Sequence, residues 1–169
     1  MANDFVTQMF AHLNSADYYT VRRSFGQTLD DCSIDALVSY AKMMQPDTPK
    51  WEQEIEFLVA GLCYNTEQPH STKKKSRIPF EQALHLLYQS SSPSGQRNIE
   101  KFLKLTTTNT RYFNKNFASL SKRVTPYLGY SGLDYYSLIR DLKNWNSNST
   151  RMKWAKAIVS GVDTAETNA

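Results

Sequence analysis

The sequence is poor in the residue types that most catalytic and metal-binding motifs require. Its 169 residues include two cysteines, three histidines and six glycines. There is no glycine-rich phosphate loop, no HExxH or CxxC motif and no nucleophile elbow, and His12, His70 and His85 fall on separate predicted elements. A site assembled from distant residues leaves no such signature. On balance the sequence favours a binding protein with no catalytic residue, no metal and no cofactor.

Long apolar runs are also lacking. No stretch approaches the roughly 20 apolar residues of a membrane span, and the N-terminus lacks the basic start and apolar core of a signal peptide. Cys32 and Cys63 fall within helical apolar patterns, which predicts small buried thiols rather than a disulfide or a metal site. We therefore expect a cytoplasmic protein with no membrane partner.

What the sequence does contain is apolar residues at helical spacing. Phe80, Ala83, Leu84 and Leu87 give a clear stripe of this kind, and strand-like alternation appears nowhere at length. The sequence predicts an all-α fold of seven or eight short helices in one or two small bundles.

The length fits one unit, because 169 residues are enough to bury a real hydrophobic interior. We predict a single helical unit over residues 1–161. Breaks in the pattern allow an N-terminal sub-bundle, 1–66, and a C-terminal sub-bundle, 79–161, joined by a mobile basic loop, 67–78. Residues 162–169 have little to bury and are predicted to fray.

Capping signals predict where several helices begin. Ser33 is the predicted N-cap of a helix that ends near Met44, and Asp134 caps a helix near the C-terminus. Thr48 is the predicted N-cap of the helix that follows and runs to about Tyr64. Pro49 would then take the first helical position, where its missing N–H costs nothing.

Positive charge is concentrated in one part of the chain. Residues 71–123 contain eleven Lys or Arg against two acids, Glu81 and Glu100, whereas the rest of the chain has nine basic and fourteen acidic residues. The net charge of +4 is modest. Its segregation, however, is typical of a protein with one surface that faces a polyanion.

The segment 97–123 carries this charge on two successive helical faces. At about 100° per residue, Arg97, Lys101 and Lys104 lie on one side of the first predicted helix, opposite Ile99 and Phe102.

The second predicted helix repeats the pattern. Arg111, Lys115 and Lys122 lie on one side, opposite Phe113 and Phe117. Like charges four residues apart destabilise a helix slightly, so helix stability alone does not account for them. Two interpretations fit: a solvated helix face, or a surface that binds polyanions.

Other residues are open to two interpretations as well. Arg22 and Arg23 are either exposed side chains or phosphate contacts. The basic run over residues 73–77 is either solvated surface or a source of salt-dependent attraction. Tyr112, beside Arg111, is either part of the core or a stacking partner for a base.

Four stretches resemble the CasB family, the small subunit of the type I-E CRISPR Cascade complex. GLDYYSLIRDLKNWN followed by RMKWAKAIV is similar to the family's C-terminal end, where a helix ending in tryptophan precedes a polar turn and a final helix. VRRSF resembles the paired arginines of the family. The family's proline-bounded turn and buried helix resemble QPDTPKWEQEIEFLVAGLCY, and its basic segment resembles SGQRNIEKFLKL. Their order and spacing over most of residues 20–160 carry the resemblance.

The resemblance implies a non-catalytic, all-helical subunit of an RNA-guided DNA surveillance complex in antiviral defence. Such a subunit would bind the displaced non-target single strand and stabilise the R-loop. The implied partners are the backbone, large and guide-end subunits of Cascade, a second copy of the chain, the guide RNA and the target DNA.

The resemblance also selects individual cations. It matches the family's nucleic-acid contacts at Arg22, Arg23, Lys50, Lys101, Lys122 and Arg123, while Arg111 and Arg151 lie close to basic family positions. Glu100 departs from the family, which can have an arginine there. With the helical faces, the predicted nucleic-acid-binding residues are Arg22, Arg23, Lys50, Arg97, Lys101, Lys104, Arg111, Lys115, Lys122, Arg123 and Arg151.

Two other functions stay open at this point. One is a structural scaffold whose cations hold acidic neighbours in an assembly. The other is a metal-dependent nuclease in which an acidic pair, either Asp30 with Asp31 or Glu52 with Glu56, holds a divalent ion.

Overall fold

The computed structural model describes residues 2–69 and 76–162, and within these ranges the chain is mostly helical. The helices are α1 (Ala2–Ala11), α2 (Asp17–Arg23), α3 (Ile34–Ala41), α4 (Lys50–Thr66), α5 (Phe80–Ser90), α6 (Pro93–Phe102), α7 (Thr110–Val124), α8 (Tyr135–Lys143) and α9 (Asn148–Ser160). Two single 3₁₀ turns, His12–Asn14 and Thr125–Tyr127, and two strands, β1 (Arg77–Ile78) and β2 (Gly132–Leu133), complete the described elements. The predicted helical fold is confirmed, with nine α-helices in the described ranges against the seven or eight expected.

The two strands were not predicted, because two residues are too few to show a period-two pattern. They pair in parallel, with Arg77 opposite Gly132 and Ile78 opposite Leu133. The predicted basic loop 67–78 therefore ends earlier than expected. Its residues 70–75, which include the run of three lysines, lie outside the described part of the chain.

Arg77 is a structural residue rather than a free loop cation. Its guanidinium lies 2.9 Å from a carboxylate oxygen of Glu67 and over the rings of Phe10 and Tyr135, at 5.2 and 5.8 Å from their centroids. The Tyr135 hydroxyl donates to the same carboxylate at 3.0 Å. These contacts join α1, the end of α4, β1 and α8.

Helix α4 lies at the centre of the fold. Every residue from Glu54 to Tyr64 is buried, because α2, α7 and α8 pack around it. A helix that is covered on all sides is a core element rather than an amphipathic surface helix. The core cluster accordingly contains residues from both halves of the chain, and the division into sub-bundles stays a prediction.

A cluster of aromatic side chains fills the C-terminal half of the core. The rings of Trp145 and Trp154 meet edge to face at 4.9 Å, and Trp145 also contacts Phe102 and Phe113 at 5.2 and 6.0 Å. The Trp145 Nε1–H donates to the carbonyl of Leu105 at 2.8 Å. Trp145 therefore fixes the connection between α6 and α7.

The capping predictions are right in two cases and wrong in one. The side chains of Ser33 and Asp134 accept the backbone N–H three residues on, as predicted. Thr48 does not cap α4, because its hydroxyl donates to a carbonyl three residues back. The helix begins at Lys50, one residue later than expected, and Pro49 takes the N-cap position.

The two cysteines and His85 are packed within the fold rather than arranged as a site. Cys63 is buried, as predicted, whereas Cys32 is only half-buried. His85 is buried with Nδ1 2.9 Å from the carbonyl of Ile158, so it is a packed residue. Among the helices that the structure describes, none combines the length and apolar character that crossing a bilayer requires.

Candidate nucleic-acid interface

Both predicted basic faces lie on the surface of the protein. Ile99 and Phe102 of α6 and Phe113 and Phe117 of α7 are buried, which turns the opposite side of each helix outward. The outward cations are Arg97 and Lys101 on α6, Lys104 in the turn just after α6, and Lys115, Lys122 and Arg123 on α7, and all six are exposed. The prediction that Lys104 lies on the helical face is wrong, because α6 ends at Phe102. We call these six cations the α6–α7 basic surface. None of them forms an ion pair with another residue in the described ranges, so no carboxylate there neutralises their charge.

Lys101 and Arg123, which are 22 positions apart in the sequence, meet at one cleft between α6 and α7. This α6–α7 cleft has a volume of about 250 Å³. It is lined by Asn98, Lys101, Phe102, Leu105, Tyr112, Asn116, Ser119, Leu120 and Arg123. The structure thus combines two cations that the sequence placed on separate faces.

Lys50 and Arg111 meet at a second cleft, of about 540 Å³, between the starts of α4 and α7. Each is paired with a carboxylate. Lys50 Nζ lies 3.0 Å from Asp30, and Arg111 donates two hydrogen bonds of 2.8 Å to Asp31. Thr28, Trp51, Glu54 and Thr110 complete the lining of this α4–α7 cleft.

Within each of these pairs, the hydrogen bond favours the charged form of the partner. Hydrogen bonds from Arg111 hold the pKa of Asp31 below its ordinary value, and the nearby charge of Lys115 acts in the same direction. The hydrogen bond to Asp30 raises the pKa of Lys50. A phosphate must therefore compete with a carboxylate for either cation.

We predict that Asp31→Asn strengthens binding of single-stranded DNA by about two- to fivefold at low salt, because it frees Arg111 from an exposed ion pair. Fluorescence anisotropy with a labelled oligonucleotide measures this. Asp35→Asn is the matched control, since Asp35 is an exposed acid with no ion-pair partner among the described residues. Equal gains for the two variants would show that net charge, rather than release of Arg111, is responsible.

The paired arginines lie on α2, next to α7. Arg22 and Arg23 are both exposed, and the Arg22 guanidinium lies 5.9 Å from the ring centroid of Tyr18. Gly26 follows α2 with a φ of +92°, and a Cβ there would lie 2.9 Å from the Cβ of Ala118 on α7. The close approach places the C-terminal end of α2 beside α7.

A buried carboxylate fixes the position of α2. Asp17 accepts hydrogen bonds from Ser39 at 2.7 Å and Lys42 at 3.1 Å, and His12 lies 3.1 Å away. Burial by itself raises the pKa of Asp17, but these hydrogen bonds outweigh it and hold the pKa at about 2. The ionised carboxylate ties α2 to α3 and thereby orients the helix that carries the paired arginines.

Arg151 is placed differently from the other predicted cations. It is half-buried at the start of α9, where it donates to the Asn146 carbonyl at 3.4 Å and to Asn148 at 3.2 Å. Asn146 in turn is bonded to Thr107 in the α6–α7 connection. Arg151 thus contacts Asn146, which holds the α6–α7 connection, and does not lie on the α6–α7 basic surface itself.

A further basic region was missed by the sequence reasoning. Arg140, Lys153 and Lys156 line a cleft of about 780 Å³ formed by α5, α8 and α9. Lys153 is largely neutralised, since its Nζ lies 2.7 Å from Asp141 and 3.5 Å from Glu81. Arg140 lies on α8 and the two lysines lie on α9, so the sequence does not show that the three cations share one cleft.

The acidic pairs proposed for a metal site are engaged with cations. Asp30 and Asp31 pair with Lys50 and Arg111, and Lys143 lies 3.5 and 3.6 Å from Glu52 and Glu56, respectively. No group of three or more His, Cys, Asp or Glu side chains in the described ranges is arranged to hold a metal ion. These contacts weaken the nuclease interpretation.

The fold and the surface define a small, mostly helical protein with exposed cations concentrated on two adjacent helices and the turn between them. A family model described as CRISPR-associated protein Cse2 matches residues 11–157. The chain therefore belongs to the Cse2 family, a family of CRISPR-associated Cascade subunits.

Solved structures share the fold over nearly the whole chain. CasB from Thermus thermophilus is 19% identical, with 95% of this chain and 98% of that chain covered and a TM-score of 0.65. CasB from M. ruber is 21% identical, with 99% and 97% covered and a TM-score of 0.64. A CRISPR-associated protein of the Cse2 family, also from Thermus thermophilus, is 18% identical, with 93% and 96% covered and a TM-score of 0.64. Comparison with curated proteins gives no match.

Proposed function

We propose that the protein is the non-catalytic small subunit of a type I-E Cascade complex in antiviral defence. Its α6–α7 basic surface binds the displaced non-target single strand and stabilises the R-loop. The observation that carries the proposal is the set of six exposed cations without acidic partners in the described ranges. The proposed partners are the backbone, large and guide-end subunits, a second copy of the chain, the guide RNA and the target DNA.

The physical basis is electrostatic. In an R-loop the RNA–DNA pairs formed are about as stable as the DNA pairs that are lost, so contacts between protein and backbone shift the balance. Lys and Arg side chains provide such contacts by neutralising phosphates and releasing counterions. Phosphate contacts carry no sequence information, which suits a subunit that must accept any target.

A structural scaffold is the second candidate. Lys50 and Arg111 already bind carboxylates within the chain, which supports an acidic protein partner for other exposed cations. In this case the α6–α7 basic surface would hold an acidic neighbour in the assembly. Both candidates predict sensitivity to salt, so salt does not distinguish them.

Crosslinking distinguishes the two candidates. We expect photoreactive pyrimidines in the displaced strand of an assembled complex to crosslink to peptides of α6 and α7. A target that does not match the guide is the control, because it leaves the strand paired. If the strand crosslinks only to other subunits while the R-loop forms normally, the scaffold is the correct interpretation.

A further inference from the structure

Tyr112 is an exposed aromatic residue in a helix whose other aromatic side chains are buried. Its exposed fraction is 56%, against 2% for Phe113 and 0% for Phe117. Its ring packs against no other ring, and its hydroxyl makes no hydrogen bond, among the described residues. Exposed aromatic side chains beside cations are the stacking platforms of proteins that bind single-stranded nucleic acids.

The α6–α7 cleft, which Tyr112 lines, has the volume of a small ligand site. Its volume of about 250 Å³ is well above the share of a single water, about 30 Å³, and below the roughly 300–1,000 Å³ of pockets for larger ligands. Phe102, Leu105 and Leu120 provide an apolar part of the lining. The cleft therefore has room for one base but not for a nucleotide chain.

Two amides give the cleft donors and acceptors. Asn116 donates its Nδ2–H to the Tyr112 carbonyl at 2.8 Å, which leaves its Oδ1 available. The Asn98 side chain makes no hydrogen bond within the described ranges, so both of its polar atoms are available. Asparagine amides pair with the edges of bases.

The charged residues that line the cleft are both basic. Lys101 and Arg123 are its ionised lining residues, and no acid is found among the described residues that line it. Glu100, the neighbour of Lys101, accepts a hydrogen bond of 2.9 Å from Tyr88 instead. An anionic backbone is thus attracted to a cleft that also holds an aromatic ring and amides, and this combination fits a nucleotide better than an acidic peptide.

We propose that the α6–α7 cleft binds one unstacked nucleobase of the displaced strand, which stacks on Tyr112 while Lys101 and Arg123 hold the flanking phosphates. This inference rests on the proposed function. It adds a ligand and a stacking residue to a surface that otherwise holds only the backbone of the strand.

The test compares two oligonucleotides of equal length and charge, a single-stranded DNA and its abasic counterpart, in anisotropy titrations of the full chain. Tyr112→Ala is expected to weaken binding of the DNA by about fivefold or more and to leave binding of the abasic strand unchanged. Tyr112→Phe retains the ring and is expected to bind both strands as the unaltered protein does. Tyr130→Ala is the matched control, since Tyr130 is a 95% exposed tyrosine outside the cleft.

Each other outcome overturns the inference in a distinguishable way. No effect of Tyr112→Ala on either strand removes the base site and leaves the electrostatic proposal standing. If Tyr112→Ala weakens binding of both strands equally, Tyr112 shapes the surface and does not stack on a base. If only the binding of single-stranded RNA depends on Tyr112, the bound base belongs to the guide RNA. If the unaltered protein binds neither DNA strand, the proposed function is wrong as well.

Discussion

Simultaneous replacement of Lys101, Lys122 and Arg123 by aspartate is expected to lower the affinity for single-stranded DNA by roughly 100-fold or more at low salt. Each change removes a cation that has no acidic partner in the described ranges and adds a repelling anion. All three side chains are exposed, so the fold is expected to survive. Anisotropy titrations at several salt concentrations measure the affinity and show whether its salt dependence becomes shallower.

A charge-conserving variant separates charge from side-chain identity. Lys101→Arg, Lys122→Arg and Arg123→Lys together keep the charge and are expected to bind nearly as the unaltered protein does. In the assembled complex, the aspartate variant is expected to shorten the lifetime of the R-loop, which permanganate reactivity of the displaced strand reports. An unchanged R-loop lifetime would contradict the proposed function.

Trp145→Ala is expected to lower the free energy of unfolding by about 3–5 kcal/mol. The side chain is fully buried, packs against Phe102, Phe113 and Trp154, and donates to the Leu105 carbonyl. Its removal leaves a cavity and a carbonyl without its donor where the turn after α8 supports the α6–α7 connection. Urea unfolding followed by circular dichroism measures the loss.

Two further tryptophan variants calibrate this result. Trp145→Phe keeps a ring but removes the N–H. We expect it to lower the free energy of unfolding by about 1–3 kcal/mol, which is less than the effect of Trp145→Ala. Trp51→Ala removes a side chain that is 53% exposed and is expected to change stability by about 0.5 kcal/mol or less. If Trp145→Ala is no more destabilising than Trp51→Ala, Trp145 does not anchor the α6–α7 connection.

Much of the local structure was predictable because it depends on neighbouring residues. The alternation of Phe113 and Phe117 with Lys115 within α7 is a property of the helical repeat, and burial of the phenylalanines turns the lysine outward. The capping roles of Ser33 and Asp134 also depend only on the next three residues. The prediction for Thr48 was wrong, because its hydroxyl donates to the Gln45 carbonyl in the preceding turn rather than capping α4.

The arrangement of the cations was not predictable in the same way. Arg111 and Asp31 are 80 residues apart, and Lys50 and Asp30 are 20 apart, so neither pair leaves a local signal. Arg77 belongs to the basic run in the sequence, yet its contact with Glu67 makes it a structural residue. Only the packing of helices decides which cations are neutralised and which stay free.

The sequence by itself determined that the chain is helical and that α6 and α7 each carry cations opposite an apolar face, because a helical period is encoded within a few turns. Tertiary structure decided that Lys101 and Arg123 share one cleft with Tyr112 and that Arg111 is held by Asp31. The physical reason is that these contacts depend on how helices cross and how closely they pack, and those are set by side chains distant in the sequence.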